Sequence, residues 1–179
     1  MPKIDVFLSW SGRTGEILAR KIHEWLPSIV SNDVSSFFSP NIEPGAMWSN
    51  EIAAAVRKSR FAILCVTQDS LSSPWLQFEA GAVWRGAETG DVCPLLFEVS
   101  ADNLPAPLKL FQAKEFNKSG FREGCKLLGR KTGVEGDRLR LNFKVTWPTL
   151  DREVQNDLRN LKANRPNKRL QRTAPTRRR

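Results

Sequence analysis

Two side chains in the stretch 72–82, Trp75 and Glu79, combine types and spacing that could carry chemistry. Ser73 followed by Pro74 reads as the N-cap and first residue of a helix, since proline has no N–H to lose there. On such a helix Trp75 and Glu79, four apart, share one face, so an indole lies beside a carboxylate. Between Asp69 and Arg85, Glu79 is the only ionisable side chain. Two readings stand. Glu79 is either a surface glutamate at the edge of a buried helix, or a carboxylate beside an aromatic wall in a partly dry cleft, where a tuned pKa makes it chemically useful.

Other chemistries are narrowed by what the chain contains. Its one histidine, His23, falls in the middle of a helical pattern, and there is no CxxC, which argues against a zinc site or a Ser-His-Asp triad. The three cysteines, Cys65, Cys93 and Cys125, are widely spaced and odd in number. Cys65 and Cys93 lie in apolar runs, so buried free thiols are expected rather than disulfides. No apolar run approaches the roughly 20 residues of a membrane span, and the N-terminus lacks a signal-peptide core, so a cytoplasmic protein without a membrane partner is expected.

The net charge of +9 is concentrated at one end. Residues 163–179 hold seven basic residues and no acid, and nine less these seven leaves only +2 for everything before them. That segment lacks apolar periodicity and contains Pro166 and Pro175, so residues 164–179 are expected to form a disordered, solvated tail. Specific nucleic-acid binding is not expected.

The elements that must position Glu79 alternate between strand and helix. Residues 4–10 form a short apolar run ending in small polar residues and Gly12, the pattern of a parallel strand buried on both faces. Ile17, Leu18, Ile22, Trp25, Leu26 and Ile29 recur at helical spacing, with Pro27 signalling an early end or kink. Residues 35–39 read as a second strand, followed by a loop through Pro40, Pro44 and Gly45. Trp48, Ile52, Ala55 and Val56 mark a helix, 61–67 is the clearest strand, and the Glu79 helix follows it. Residues 92–97 and the alternating 111–116 read as further strands, the last at an edge. Leu139, Leu141, Phe143, Val145 and Trp147 alternate as a strand would, yet Leu139, Phe143 and Trp147 also fit helical spacing. After Pro148 the pattern is helical. The whole predicts an α/β fold: an open parallel sheet with helices on both faces. Ligands of such sheets bind at the carboxyl ends of the strands, where the loops at 9–12 and 67–73 are expected to converge.

Taken in order, these segments resemble a known family. Ile4-Asp5-Val6-Phe7-Leu8-Ser9-Trp10-Ser11-Gly12 resembles the first strand and loop of Toll/interleukin receptor homology (TIR) domains, and Ile42-Glu43-Pro44-Gly45 the end of their BB loop. Residues 59–67, then Ser73-Pro74-Trp75-Leu76-Gln77-Phe78-Glu79, resemble their fourth strand and the helix carrying a W-x-x-x-E motif. The resemblance covers roughly residues 3–163 and is closest to bacterial single-domain TIR proteins. It implies a flavodoxin-like sheet of about five strands in a domain over 1–163 that includes C-terminal helices. A Trp-Pro pair such as Trp147-Pro148 occurs in a terminal helix of those relatives, which favours helix over 139–145. The approach to the BB loop, 37–41, is one residue shorter than usual, so either Phe37 or Phe38 takes the family's aromatic position.

The resemblance also implies activity. TIR domains of this kind cleave NAD at the nicotinamide–ribose bond, and the W-x-x-x-E glutamate, here Glu79, is catalytic. Trp75 would wall the site, and Trp10, Trp48 and Phe37 or Phe38 are candidates for stacking on the substrate. Each of these aromatics has a core reading as well. Ser9, Ser11 and Gly12 lie on a loop placed to meet ribose or phosphate through backbone N–H groups. NAD would be substrate rather than cofactor, with no metal required, and the absence of G-x-G-x-x-G argues against redox use. The product, ADP-ribose or a cyclic isomer, would act on a downstream effector in antiphage defence. Self-association through the BB loop, Pro40 to Gly45, is also implied. A non-catalytic interaction adaptor and a nucleotide sensor without turnover remain as other classes.

Overall fold

The computed structural model describes residues 4–31, 34–38, 50–74, 76–78, 80–81 and 91–164. Its centre is a five-stranded parallel sheet in the order β2-β1-β3-β4-β5. The strands are β1 (Ile4–Trp10), β2 (Val34–Phe38), β3 (Phe61–Val66), β4 (Asp91–Leu96) and β5 (Lys114–Glu115). All four pairings are parallel. The helices are α1 (Gly12–Ile29), α2 (Asn50–Lys58), the short α3 (Ala106–Lys109), α4 (Lys118–Thr132) and α5 (Gly136–Ala163). Helical backbone also begins at Pro74 and includes 76–78 and 80–81. The predicted strands are present, the edge strand reduced to two residues because the chain after the Pro107 segment pairs only at Leu95↔Lys114 and Leu96↔Glu115.

Every residue of β3 is buried, as its unbroken apolar run requires for a central strand covered on both sides. Two cores result. On one face Val6, Leu8, Trp10, Ile63 and Cys65 meet Leu18, Ile22 and Leu26 of α1, and α4 and α5 complete the layer. On the other, Phe7, Ala62, Leu64 and Val66 meet Ile52 and Val56 of α2 and Leu76 and Ala80 of the helix that begins at Pro74. The period of two along the strands sorts these side chains.

The ambiguous segment is helical. In α5, Leu139, Phe143 and Trp147 are buried, whereas Leu141 and Val145 are exposed. Phe116, Phe121, Phe143 and Trp147 form an aromatic cluster in which the Phe143 and Trp147 rings stack at 5.4 Å and Phe116 lies 5.3 Å from Trp147. The chain runs through Pro148 as one helix rather than breaking there, and α1 likewise continues through Pro27 to Ile29. In α1 the proline falls in the last turn, where little helix remains to be lost. α5 is tied to α1 by Glu153, whose carboxylate accepts a hydrogen bond from Trp25 Nε1 at 3.1 Å and lies 3.3 Å from Lys21 Nζ. The Trp25 bond, with Lys21 beside it, holds the Glu153 carboxyl below its ordinary range. The expected basic tail lies outside the described residues. Among the described residues, no helix is long and apolar enough to cross a membrane.

Cys65, Cys93 and Cys125 are free and buried. Burial, with Asp91 adding to it and Lys114 opposing it, pushes the Cys93 thiol from an ordinary 9.0 up to about 11, and burial raises the other two as well. The fold therefore holds these protons more tightly than the unfolded chain does. The associated stability is complete below pH 9.0 and is lost as pH rises through about 11. The urea midpoint is expected to fall across that window, and to fall less in Cys93→Ala. Equal alkaline slopes for the two proteins would contradict this origin.

Candidate functional site

The order β2-β1-β3 makes the chain leave β1 in one direction across the sheet and return to β3 on the other side. The crevice between the carboxyl ends of β1 and β3 is thus a topological switch point, the place where open α/β sheets bind ligands. Two loops border it. The first follows Trp10, where Ser11 is extended and Gly12 adopts a φ of 72°, a left-handed backbone that an L side chain resists. A Cβ at Gly12 would meet nothing within 4 Å, so conformation rather than crowding calls for glycine. The Ser11 side chain makes no capping bond to the first turn of α1.

The second loop follows β3. Ser70 Oγ accepts the Thr67 N–H at 2.8 Å and donates to the Thr67 carbonyl at 3.0 Å, closing a 3₁₀ turn over Gln68–Ser70. Ser73 then caps the next helix, its Oγ accepting from the Leu76 N–H at 3.5 Å, with Pro74 in the first turn as the sequence predicts. The loops meet where Thr14 Oγ1 donates to Asp69 Oδ2 at 3.5 Å. Leu76 and Ala80, both buried, seat the helix on the sheet. Trp75, Glu79, Trp48 and the BB-loop segment from Pro40 to Gly45 lie outside the described residues.

The remaining candidates separate by face. Trp10 is only 5 % exposed and belongs to the α1-side core, where its ring stacks on Phe38 at 5.4 Å. The guanidinium of Arg20 lies 5.0 Å from the centre of the Phe38 ring, and His23, whose Nδ1 is 2.6 Å from Ser36 Oγ, adjoins the same ring. Trp10 and Phe38 are therefore a core stack on the side of the sheet opposite Leu76 and Ala80. Of the two readings the sequence left open for these rings, this packing is the core one. The Trp10 Nε1 donor is buried without a hydrogen-bond partner among the described residues. Phe37 points the other way, stacks on Phe7 at 5.8 Å and packs on the core that contains Leu76 and Ala80. Ser9, fully buried, has the same strand parity as Phe7. Of the two phenylalanines, Phe37 is the one on the face of the Pro74 helix.

Two side chains at this end carried no sequence signal. A cavity of about 480 Å³ opens beside the crevice towards α5, lined by Arg13, Thr14, Asp69, Asp157, Asn160 and Asn164 among others. It includes none of the aromatics singled out above. Asp69 and Thr14 are 55 positions apart, so their meeting follows from strand order and not from any local pattern.

A flavodoxin-like parallel sheet with a two-loop crevice at its β1/β3 switch point defines a class of α/β ligand-binding and catalytic domains. Residues 6–128 match the family model described as the TIR domain. The chain belongs to the TIR domain family. Among solved structures it is similar to the TIR domains in the activated Roq1 resistosome directly recognizing the pathogen effector XopQ. That likeness is 19 % identity over 88 % of this chain and 99 % of the other, with a TM-score of 0.43. No curated protein matches the sequence.

Ser73 fixes the start of the helix that begins at Pro74, so Ser73→Ala should loosen that start. Because the capping bond is long, the loss is expected at the low end of the capping range, about 0.5 kcal/mol, with Ser73→Asp retaining most of it. Urea unfolding checks this, and equal stability of the parent and Ser73→Ala would remove the cap from the account.

Proposed function

We propose that this TIR domain cleaves NAD at the bond between nicotinamide and ribose, with Glu79 as the catalytic carboxylate. The observation that supports the reading is the Trp75-x-x-x-Glu79 spacing in the sequence, within the family match and just after the helix start at Pro74 that follows the loop leaving β3. An interaction adaptor has no need of that pair.

In the proposed step the C1′–N1 bond breaks and its electron pair passes to the pyridinium nitrogen. Nicotinamide leaves neutral, and positive charge develops on C1′ and the ring oxygen of the ribose. The leaving group is already cationic in the substrate, so no acid need protonate it and no metal is called for. The Glu79 carboxylate stabilises the oxocarbenium-like charge or holds the ribose hydroxyls, and Trp75 excludes water that would screen it. Water adding at C1′, with loss of a proton, gives ADP-ribose. A nucleophilic atom of the same molecule adding there gives a cyclic isomer. Phe37, on the face of the Pro74 helix, and Ser11 and Gly12 of the loop after β1 are proposed to meet the substrate, whereas Ser9 and Trp10 are buried. The product would pass to a downstream effector, in keeping with a defence-signalling role.

Glu79→Gln keeps the shape of the side chain and removes its charge. It is expected to fold like the parent and to lose ~10²–10⁴-fold in nicotinamide release. Release at the parent rate would remove Glu79 from the mechanism.

The site is also proposed to be completed by a second copy, through the BB loop from Pro40 to Gly45 of a neighbour. A carboxylate in an open, wet crevice is screened and its substrate poorly oriented. Head-to-tail packing of this kind is heterologous and tends towards filaments. Turnover per molecule should then rise with protein concentration, and a bulky residue at Gly45 should flatten the rise. Specific activity constant over about a hundredfold dilution, a span that ~3 kcal/mol of association would cover, would contradict a shared site.

A further inference from the structure

On the outer flank of the fold, α4 carries Arg122, Lys126 and Arg130 at successive intervals of four residues, so three cations stand in one row along the helix. Arg140, one turn into α5, faces the same space. Together with Leu139, Glu135, Gly136 and Asp137 these four cations line a cavity of about 420 Å³ between the two helices. Lys131, next along α4, pairs with Asp91 at the start of β4, so the row descends towards the amino ends of the strands. The cavity is therefore remote from the crevice at their carboxyl ends, and it is independent of the proposed NAD chemistry.

The local charges do not cancel. Lys126 Nζ lies 2.8 Å from Glu123 in a half-exposed pair, and Arg140 lies 3.1 Å from Asp137 in a pair largely in solvent. Arg122 and Arg130 make no salt bridge or side-chain hydrogen bond to a described residue. Like charges four apart on a helix repel, so the row costs stability unless an anion sits against it. Glu123 registers the field: its hydrogen bond from Lys126, helped by Arg122, holds its carboxyl below the ordinary range. The cavity floor includes Leu139, 4 % exposed, which offers a small apolar patch beneath the cations. Its volume falls in the range of small-molecule sites, roughly 300–1,000 Å³. Forked guanidinium groups spaced along a helix suit the oxygens of linked phosphates better than a single carboxylate.

We infer that the cavity between α4 and α5 is a binding site for a small diphosphate-bearing anion, held by Arg122, Lys126, Arg130 and Arg140. Two cations already engaged by carboxylates exchange those solvent-exposed partners for phosphate oxygens, and the two unengaged arginines supply the gain in affinity.

The test uses the full chain with inorganic pyrophosphate as probe, followed by calorimetry and by amide shifts in NMR spectra. Saturable binding with a Kd below about 1 mM is expected, with the shifts confined to α4 and the start of α5. The double variant Arg122→Gln, Arg130→Gln is expected to weaken binding at least tenfold. Both positions are exposed and glutamine is a good helix former, so the variant should fold. The basic residues of 165–179 are untouched in it, so the loss reports the cavity and not the tail. Arg60→Gln, an exposed cation on the loop before β3, should leave binding unchanged. No saturation by about 10 mM pyrophosphate, shifts located elsewhere, or equal affinity in the double variant would each overturn the proposal. So would binding of a DNA duplex by the same residues with none of pyrophosphate.

Discussion

The pairing of β1 with β3 is the constraint on which the rest of the molecule depends. Val6 to Trp10 run beside Phe61 to Cys65 in parallel register, and every residue of both stretches is buried. With no polar side chain at a solvent edge, the two strands can exist only when both faces are covered. That requirement recruits α1, α4 and α5 on one side and α2 with the Pro74 helix on the other. The same pairing brings together two carboxyl ends whose connections diverge, which creates the crevice. A slip of one residue in this register would turn Phe7 and Ser9 to the α1 face and expel Trp10 from its stack.

Much of this was legible in the sequence because buried parallel strands leave a strong local trace. Residues 61–66 are uninterrupted and apolar, and Ser73-Pro74 marks a helix start by the chemistry of two residues. What was not legible depends on partners far along the chain. Leu139 to Trp147 satisfies a period of two as well as a helical one, and periodicity alone did not decide. The Trp147-Pro148 resemblance favoured helix, and the aromatic cluster with Phe116 and Phe121 is what the helical period buries. Pro27 read as an early end or kink, but α1 continues through it to Ile29. The family resemblance made Trp10 a candidate for stacking on substrate, with a core reading beside it. Strand parity sends it to the α1 face with Phe38, and the same parity distinguishes Phe37 from Phe38.

The two ends of the sheet differ in character. At the carboxyl ends, loops with a left-handed glycine, a 3₁₀ turn and a capped helix start surround the crevice, with Thr14 and Asp69 linking them. Along the opposite flank, α4 carries a row of cations beside a cavity. Between the two, the aromatic cluster of α4 and α5 and the Glu153 contacts to Trp25 and Lys21 fasten the C-terminal helix to α1. The 28-residue α5 thus contributes to the α1-side core, to the basic cavity at its start and to the Asp157 cavity near its end.

The central claim is that the crevice performs bond cleavage and not merely recognition. Its most direct test is chromatography of NAD incubated with the purified, concentrated parent protein. The account predicts that nicotinamide accumulates together with an equal amount of ADP-ribose or a cyclic isomer. NAD that is recovered intact, from a sample whose protein is folded and binds it, would contradict the claim.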